Sequence, residues 1–343
     1  MKRESGNATG GDGVLPETRP RIAIVATGGT ICMERDAAGE GVVPRHGADD
    51  LIAAAPHLRE RFDLTLREFG RFPGPHMNMR RVAGLHRVVA ELLADHQGVV
   101  VTHGTDTLEE SAFALDLIHH SDAPVIFAGA MRSRDEAGWD GAVNLAAACT
   151  VAACPDASGK GVLLVLNDTI HAASEVTKTY TGSLDTFVST IGGPLGTLDL
   201  GKPGIFRSPV RRKVLADSAA LENPARVDLL TAHHESDAML VEACVGGGAR
   251  GIVVQALGRG NVPPPMFHAL SRAMEQGVVV VVCSRSWAGQ PAPVYGYEGG
   301  GAMLAASGAV FSPRLNGPKA RVALSLLLGG GAGRDGVALF FGG

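Results

Sequence analysis

The chain has 343 residues, of which 45% are hydrophobic and 19% charged, a size and balance that suit about two globular domains and exclude a wholly disordered chain or a disulfide miniprotein. Net charge is -4, and although Arg outnumbers Lys 25 to 6, the basic residues form no stripe matched to a phosphate backbone, so nucleic acid is not an expected partner. Five cysteines (Cys32, Cys149, Cys154, Cys244, Cys283) include no CxxC pair, which points to reduced thiols and away from a zinc or redox motif.

Residues 1–20 are polar and glycine-rich and read as a disordered tail without an apolar signal core. No apolar run approaches the roughly 18 residues of a membrane span, so the expectation is a cytoplasmic chain with no membrane partner. Candidate strands then follow at Arg21–Ala26, Phe62–Glu68, Gly98–Thr102, Pro124–Ala128 and Gly161–Leu166. Between them, 80–96, 107–120 and 140–153 place apolar residues three and four apart, the spacing of amphipathic helices. Alternation of this kind predicts an α/β fold: a larger N-terminal, doubly wound, mostly parallel sheet domain over 21–206. Within it, 177–206 is β-branched and punctuated by Gly and Pro, which predicts antiparallel strands. Residues 207–225 are polar and Pro-containing and are the expected linker. Beyond them VDLLTA, GIVVQAL and VVVVVCS, separated by two helical stretches, predict a smaller C-terminal parallel α/β domain over 226–343.

Candidate chemistry falls where strands end, because ligands of open parallel sheets bind just beyond the carboxyl ends of the strands. The first strand runs into Thr27-Gly28-Gly29-Thr30. There the glycines permit close backbone approach and Thr30 offers a hydroxyl; the alternative is a tight turn with a capping Thr. The absence of GxGxxG argues against a dinucleotide fingerprint. Gly98–Thr102 runs into His103-Gly104-Thr105-Asp106-Thr107 at the start of a helix, where Thr105 and Asp106 pair a hydroxyl with a carboxylate. The alternative is that Asp106 or Thr107 caps the helix with Glu109 or Glu110 completing a capping box. Lys178, in VTKTYT, is a candidate base if partly desolvated, or an edge-strand lysine that discourages aggregation. Asn167-Asp168 and Asn261 read as turn residues, and His119-His120 and His233-His234 as surface pairs. With no HExxH or other spaced ligand set, a metal site is not expected, and GxSxG is absent too.

Taken together, ATGGTI at 26–31, THGTDTLEES at 102–111 and VTKTYT at 176–181 resemble the bacterial-type L-asparaginase/glutaminase family of threonine amidohydrolases. The likeness continues through PVIFAGAMR, DGAVNL, VLLVLNDTIHAASEVTKT, GPLG, GIVVQALGRGNVP and NGPKARVAL, covering nearly all of 21–328. It implies a homotetramer built as a dimer of dimers, with each site shared between one subunit's N-domain and its neighbour's C-domain. It implies no cofactor. The implied reaction is attack of a threonine hydroxyl on a side-chain amide, loss of ammonia and hydrolysis of the acyl-enzyme.

By this resemblance Thr30 matches the primary nucleophile and Thr105 the second threonine, Asp106 the carboxylate that binds the substrate α-amino group, and Lys178 the lysine it supports. Gly29 and Gly104 are candidate substrate-binding residues, and backbone N–H groups beside Thr30 and Thr105 would form an oxyanion hole, worth about 3 kcal/mol per well-aimed donor. Asn261 matches an asparagine that reaches a neighbour's site, and Glu298 aligns loosely with a cross-subunit glutamate. Two departures stand out. The loop 31–50 lacks the family's tyrosine, and the chain's tyrosines are Tyr180, Tyr295 and Tyr297, so a C-domain tyrosine, or none, takes that role, or the Thr105-Asp106-Lys178 set carries more of the chemistry. Gly74 and Pro75 occupy the positions where the family usually offers a serine and often a glutamine to the α-carboxylate, leaving the Gly74 N–H as the donor. The expected activity is hydrolysis of L-asparagine to L-aspartate and ammonia. Glutaminase or D-asparaginase activity at the same site and a catalytically impaired amino-acid binder are the alternatives, while charge and length disfavour a tRNA-dependent amidotransferase subunit.

Overall fold

The computed structural model describes residues 18–36, 41–210, 215 and 218–342; most of the expected N-terminal tail lies outside them. In chain order the strands of the first domain are β1 (Arg21–Gly28), β2 (Met33–Arg35), β3 (Val42–Pro44), β4 (Asp63–Phe72), β5 (Gly98–Thr102), β6 (Val125–Ala128), β7 (Val162–Leu166), β8 (Thr169–Ala172), β9 (Val176–Lys178), β10 (Phe187–Ser189), β11 (Gly196–Asp199) and β12 (Lys202–Ile205). Its helices are α1 (Ala48–Ala53), α2 (Leu58–Arg61), α3 (Met79–Leu93), α4 (Leu108–Asp116) and α5 (Gly141–Ala152). Among the described residues, eight strands form one sheet in the order β12-β11-β8-β7-β6-β5-β1-β4. From β4 to β7 the pairings are parallel, and from β7 to β12 they are antiparallel. Ile22, Ile24, Val100 and Ile126 face one apolar core while Ala23, Val25, Val99 and Val101 face another. Burial of both faces explains why these strands read as continuous apolar runs.

In the parallel portion β1 lies between β4, at the sheet edge, and β5, which is followed by β6 and β7. Chain direction across the sheet therefore reverses between β1 and β5, which makes the carboxyl ends of these two strands the topological switch point. Asn167 and Asp168, both at positive φ, make the two-residue turn between β7 and β8, as their side chains, tolerant of left-handed backbone, allow. The expected antiparallel region resolves into two pairs, β9 with β10 and β11 with β12.

The second domain places β13 (Val227–Thr231), β14 (Gly251–Ala256), β15 (Val279–Ser284) and β16 (Val310–Phe311) side by side, all parallel. They alternate with α6 (Met239–Gly246), α7 (Pro264–Glu275), α8 (Gly301–Ala306) and α9 (Gly317–Gly329), followed by α10 (Arg334–Gly342). One apolar cluster crosses between the domains, joining Phe113 and Leu117 of α4 and its C-terminal end to Ala320, Leu324 and Leu327 of α9. Leu221, at the end of the expected linker, is buried in the same cluster; residues 211–214 and 216–217 lie outside the described region. The expectation of a surface His119 is overturned. His119 is 4% exposed and its Nε2 lies 2.9 Å from the Ala123 carbonyl oxygen, whereas His120, His233 and His234 are not buried. That polar contact with the loop before β6 satisfies a ring nitrogen and offsets the cost of burial.

Candidate active site

Four glycines hold the switch point together. Gly28 and Gly29 leave β1 at φ 107° and 82°, and a Cβ built on Gly29 would stand 2.3 Å from the Gly104 nitrogen. One on Gly104 would stand 2.7 Å from the Gly74 nitrogen. Both distances are shorter than any side chain tolerates, so the ends of β1 and β5 and the turn after β4 are stacked backbone on backbone. Thr30 follows on a short 3-10 turn, Thr30–Cys32. Among the described residues its hydroxyl has no hydrogen-bond partner.

On the other strand end, Thr105 is 5% exposed, and Lys178 Nζ donates to its Oγ1 at 3.0 Å and to Asp106 Oδ1 at 2.8 Å. Lys178 arrives from the last residue of β9, opposite Phe187 of β10, and its side chain is 17% exposed against 62% for Asp106. A hydroxyl, an amine and a carboxylate are thus in line, with the amine shielded and the carboxylate open to solvent. The capping alternative fails here. Thr107 stands at the start of α4 without a side-chain cap; its hydroxyl donates to the Gly74 carbonyl at 2.7 Å, while Glu109 and Glu110 turn to Lys319 and Arg321.

Gly74 is buried and lies on Asp106, where an added Cβ would come within 3.3 Å of the Asp106 Cβ. Pro75 is exposed and has no N–H to give. Among the described residues Asn261 makes no hydrogen bond to this set within one chain; its Oδ1 accepts from the Gly301 N–H at 3.1 Å. Nearby on the second domain, Tyr295 and Tyr297 are exposed with ring centroids 5.6 Å apart, and Glu298 pairs with His268 at 2.7 Å. Tyr180 is 63% exposed. The structure therefore gathers Gly29, Thr30, Gly74, Gly104, Thr105, Asp106 and Lys178 at one strand-end cluster and leaves Asn261 and the C-domain tyrosines outside it.

Two groups of supporting residues escape a reading of the sequence. His103 is fully buried against Phe127, with its Nδ1 2.8 Å from the Gly104 carbonyl oxygen, and burial pushes its pKa down to about 4. It sits as a neutral ring beneath the Thr105 turn. Asp140 accepts from the Met131 and Arg132 N–H groups at 3.0 to 3.1 Å, and Asn144 donates to the Gly129 carbonyl at 3.0 Å and to Asp140 at 2.9 Å. These bonds shape the loop after β6, where a Cβ on Gly129 would lie 2.8 Å from the His103 carbonyl oxygen and 3.3 Å from Thr105 Cγ2. The spacing Asp140-x-x-x-Asn144, one helical turn, is the available signal. Among the described residues, no group of three or more His, Cys, Asp or Glu could hold a metal ion.

Residues 21–211 match the family model for the asparaginase N-terminal domain, and residues 226–341 that for the glutaminase/asparaginase C-terminal domain. The chain belongs to the asparaginase family. It is 36% identical over 335 residues to a probable L-asparaginase of Deinococcus radiodurans, covering 95% of this chain and 98% of that one. It is 34% identical over 321 residues to L-asparaginase 2 of Escherichia coli, covering 90% and 89%. Among solved structures, a probable cytoplasmic L-asparaginase from Campylobacter jejuni superposes with a TM-score of 0.86 at 31% identity, covering 94% of this chain and 99% of that one. Among the described residues no helix is long and apolar enough to cross a membrane.

Proposed function

We propose that the chain hydrolyses L-asparagine to L-aspartate and ammonia through a threonine acyl-enzyme. The observation that carries this reading is the contact of Lys178 Nζ with both Thr105 Oγ1 at 3.0 Å and Asp106 Oδ1 at 2.8 Å. A threonine hydroxyl is too weakly acidic to attack an amide unaided, and a half-shielded lysine in contact with a buried hydroxyl is a base suited to receive its proton. The free hydroxyl of Thr30 is the attacking group, and Thr105, Lys178 and Asp106 handle the proton. Thr30 Oγ bonds to the amide carbon as its proton passes through the Thr105 hydroxyl to the Lys178 amine nitrogen. The C–N bond then breaks as that proton is delivered to the departing nitrogen, releasing ammonia. Water attacks the ester, its proton follows the same route, and aspartate leaves as Thr30 regains its hydrogen. The exposed Asp106 carboxylate also faces solvent where a substrate ammonium can pair with it. The Gly29 N–H is taken by the Phe72 carbonyl at 3.0 Å, so the oxyanion donors are the N–H groups beside it and beside Gly104, at Thr30 and Thr105.

Three further parts complete the proposal. Gly74 gives the substrate α-carboxylate a backbone donor in place of a side chain, and Pro75 gives none. A second copy of the chain supplies Asn261 and a C-domain tyrosine, which no single chain brings to Thr105, so the working form is a homo-oligomer, a tetramer of paired dimers. The five cysteines are free thiols, which agrees with a reducing, cytoplasmic location. The relative from Pseudomonas fluorescens named a glutaminase-asparaginase, 33% identical over 284 residues, makes L-glutamine the second substrate to test. Ammonia release from L-asparagine, L-glutamine and D-asparagine, measured beside Thr30→Ala, Thr105→Ala and Lys178→Ala, tests the whole. Each variant is expected to lose at least about 1,000-fold in turnover. Retained turnover in folded Lys178→Ala would remove the base from the mechanism.

A further inference from the structure

Outside the strand-end cluster lies a second ionic group that the proposed chemistry does not use. Lys319, near the start of α9 in the second domain, is 2% exposed, and its Nζ donates to Glu109 Oε2 at 2.7 Å and to the Val176 carbonyl. Asn316, which precedes α9, donates from Nδ2 to the same Glu109 oxygen at 3.3 Å and to Thr177 Oγ1 at 3.1 Å. Beside them, Arg321 pairs with Glu110 at 3.2 Å.

The placement of these bonds is what gives them meaning. Glu109 lies one helical turn beyond Thr105, on the helix that Thr105 and Asp106 lead into. Val176 and Thr177 are the two residues before Lys178 on β9. One carboxylate oxygen, one ammonium and one amide thus tie the helix behind the hydroxyl and carboxylate to the strand that carries the amine. Among the described residues β9 pairs only with β10, in a two-stranded ribbon outside the main sheet; Val176 and Phe187 seat it in the apolar core with Leu108 and Ala112 of α4, but apolar contact is non-directional, and without a ladder to the main sheet the position of β9 along α4 needs directional bonds. A buried ion pair is a weak stabiliser next to an apolar pair of equal volume, since desolvation offsets its attraction. Its directional bonds, by contrast, fix geometry. We propose that Glu109, Lys319 and Asn316 are positioning residues. They hold β9 against α4 so that Lys178 stays in reach of Thr105, and they make the second domain a structural part of its own chain's proton-handling set. The inference rests on the reading of Lys178 as the base.

Two variants test it. Asn316→Ser keeps an oxygen able to cap α9 but is too short to reach Glu109 or Thr177, and Glu109→Gln with Lys319→Met removes the ion pair without leaving either charge alone. Steady-state hydrolysis of L-asparagine by each purified variant is compared with wild type, and Asn316→Ser is repeated in the Lys178→Ala background. The expected result is a fall in kcat of about 10-fold for Asn316→Ser and about 100-fold for the double variant, with KM within about threefold and an unchanged elution volume. In the Lys178→Ala background Asn316→Ser is expected to cost nothing further, since residues that act through Lys178 lose their effect once it is gone. Wild-type kcat in Asn316→Ser beside an inactive Lys178→Ala overturns the bracing role and leaves the base assignment standing, as does an equal further loss in the Lys178→Ala background. Wild-type turnover in Lys178→Ala overturns the base assignment, and the brace falls with it. Should the double variant fail to fold, Asn316→Ser decides alone.

Discussion

Gly29 and Gly104 show at the residue scale how little freedom the candidate site has. A methyl on Gly29 meets the backbone of Gly104 at 2.3 and 2.4 Å, and φ of 82° disfavours any side chain there. Backbone cannot swing away as a side chain can, so Gly29→Ala must part the two strand ends. It is expected to cost on the order of 3 kcal/mol and to drop turnover at least about 100-fold. Thermal unfolding and ammonia release on the same preparation check this. The histidines give a second prediction, in pH. Burial lowers His103 and His171 from the usual 6.5 to about 4; for His171, Arg207 adds to the shift and Glu175 opposes it. Between pH 6.5 and about 4 the unfolded chain binds these two protons and the folded chain does not, so stability rises with pH across that window. Both contributions are complete above pH 6.5 and are lost as pH falls toward 4, at most about 3 kcal/mol each. Chemical unfolding of wild type and His171→Asn at pH 7 and pH 4.5 checks it. The variant is expected to lose less stability than wild type between the two pH values.

At the scale of elements, the turn that carries Gly74 depends on the helix it leads into. Asn78 caps α3 by accepting from the Arg81 N–H at 3.0 Å, and the Arg81 guanidinium lies 4.1 Å from the Phe72 ring centroid at the end of β4. Asn78→Ala is expected to cost about 1 kcal/mol and to raise KM more than it lowers kcat, because the turn it loosens is the one proposed to present the Gly74 N–H to the substrate carboxylate. Calorimetry and steady-state kinetics separate the two effects. This scale is also where the sequence is most and least informative. Runs such as GVVVT and VLLVL mark β5 and β7 because both faces of a central strand are buried, and Thr105, Asp106 and Lys178 draw notice as polar residues at the ends of strands. β8 is not legible as a separate strand, because Asn167-Asp168 reads as a terminus until its hairpin is seen. The Glu109–Lys319–Asn316 cluster is invisible for a different reason. Its partners are more than 130 residues apart, and no local period relates them. His119 misleads in the opposite way, since a polar doublet before a turn looks solvated until its carbonyl partner is known.

For the whole molecule, the question is whether one chain contains a working site. The Thr105-Asp106-Lys178 set is complete within one chain, yet the loop after β1 has no tyrosine, and the exposed Tyr295–Tyr297 pair and Asn261 lie on the other domain. If a second copy completes the site, an N-domain defect and a C-domain defect are complementary when they reside on different chains. Lys178→Ala and Asn261→Ala are each expected to be nearly inactive as pure preparations. Unfolded together and refolded as an equimolar mixture, they place an intact N-domain from one chain against an intact C-domain from the other. With two sites per dimer and random pairing, half the dimers are mixed and each holds one intact site, so recovery should approach about a quarter of wild-type activity. The same mixture of Lys178→Ala with Thr105→Ala should recover nothing, because both defects fall on the N-domain and every site keeps one of them. Recovery by the first mixture and not by the second requires a site built from two chains. Equal silence from both would place the whole machinery, brace included, within a single chain.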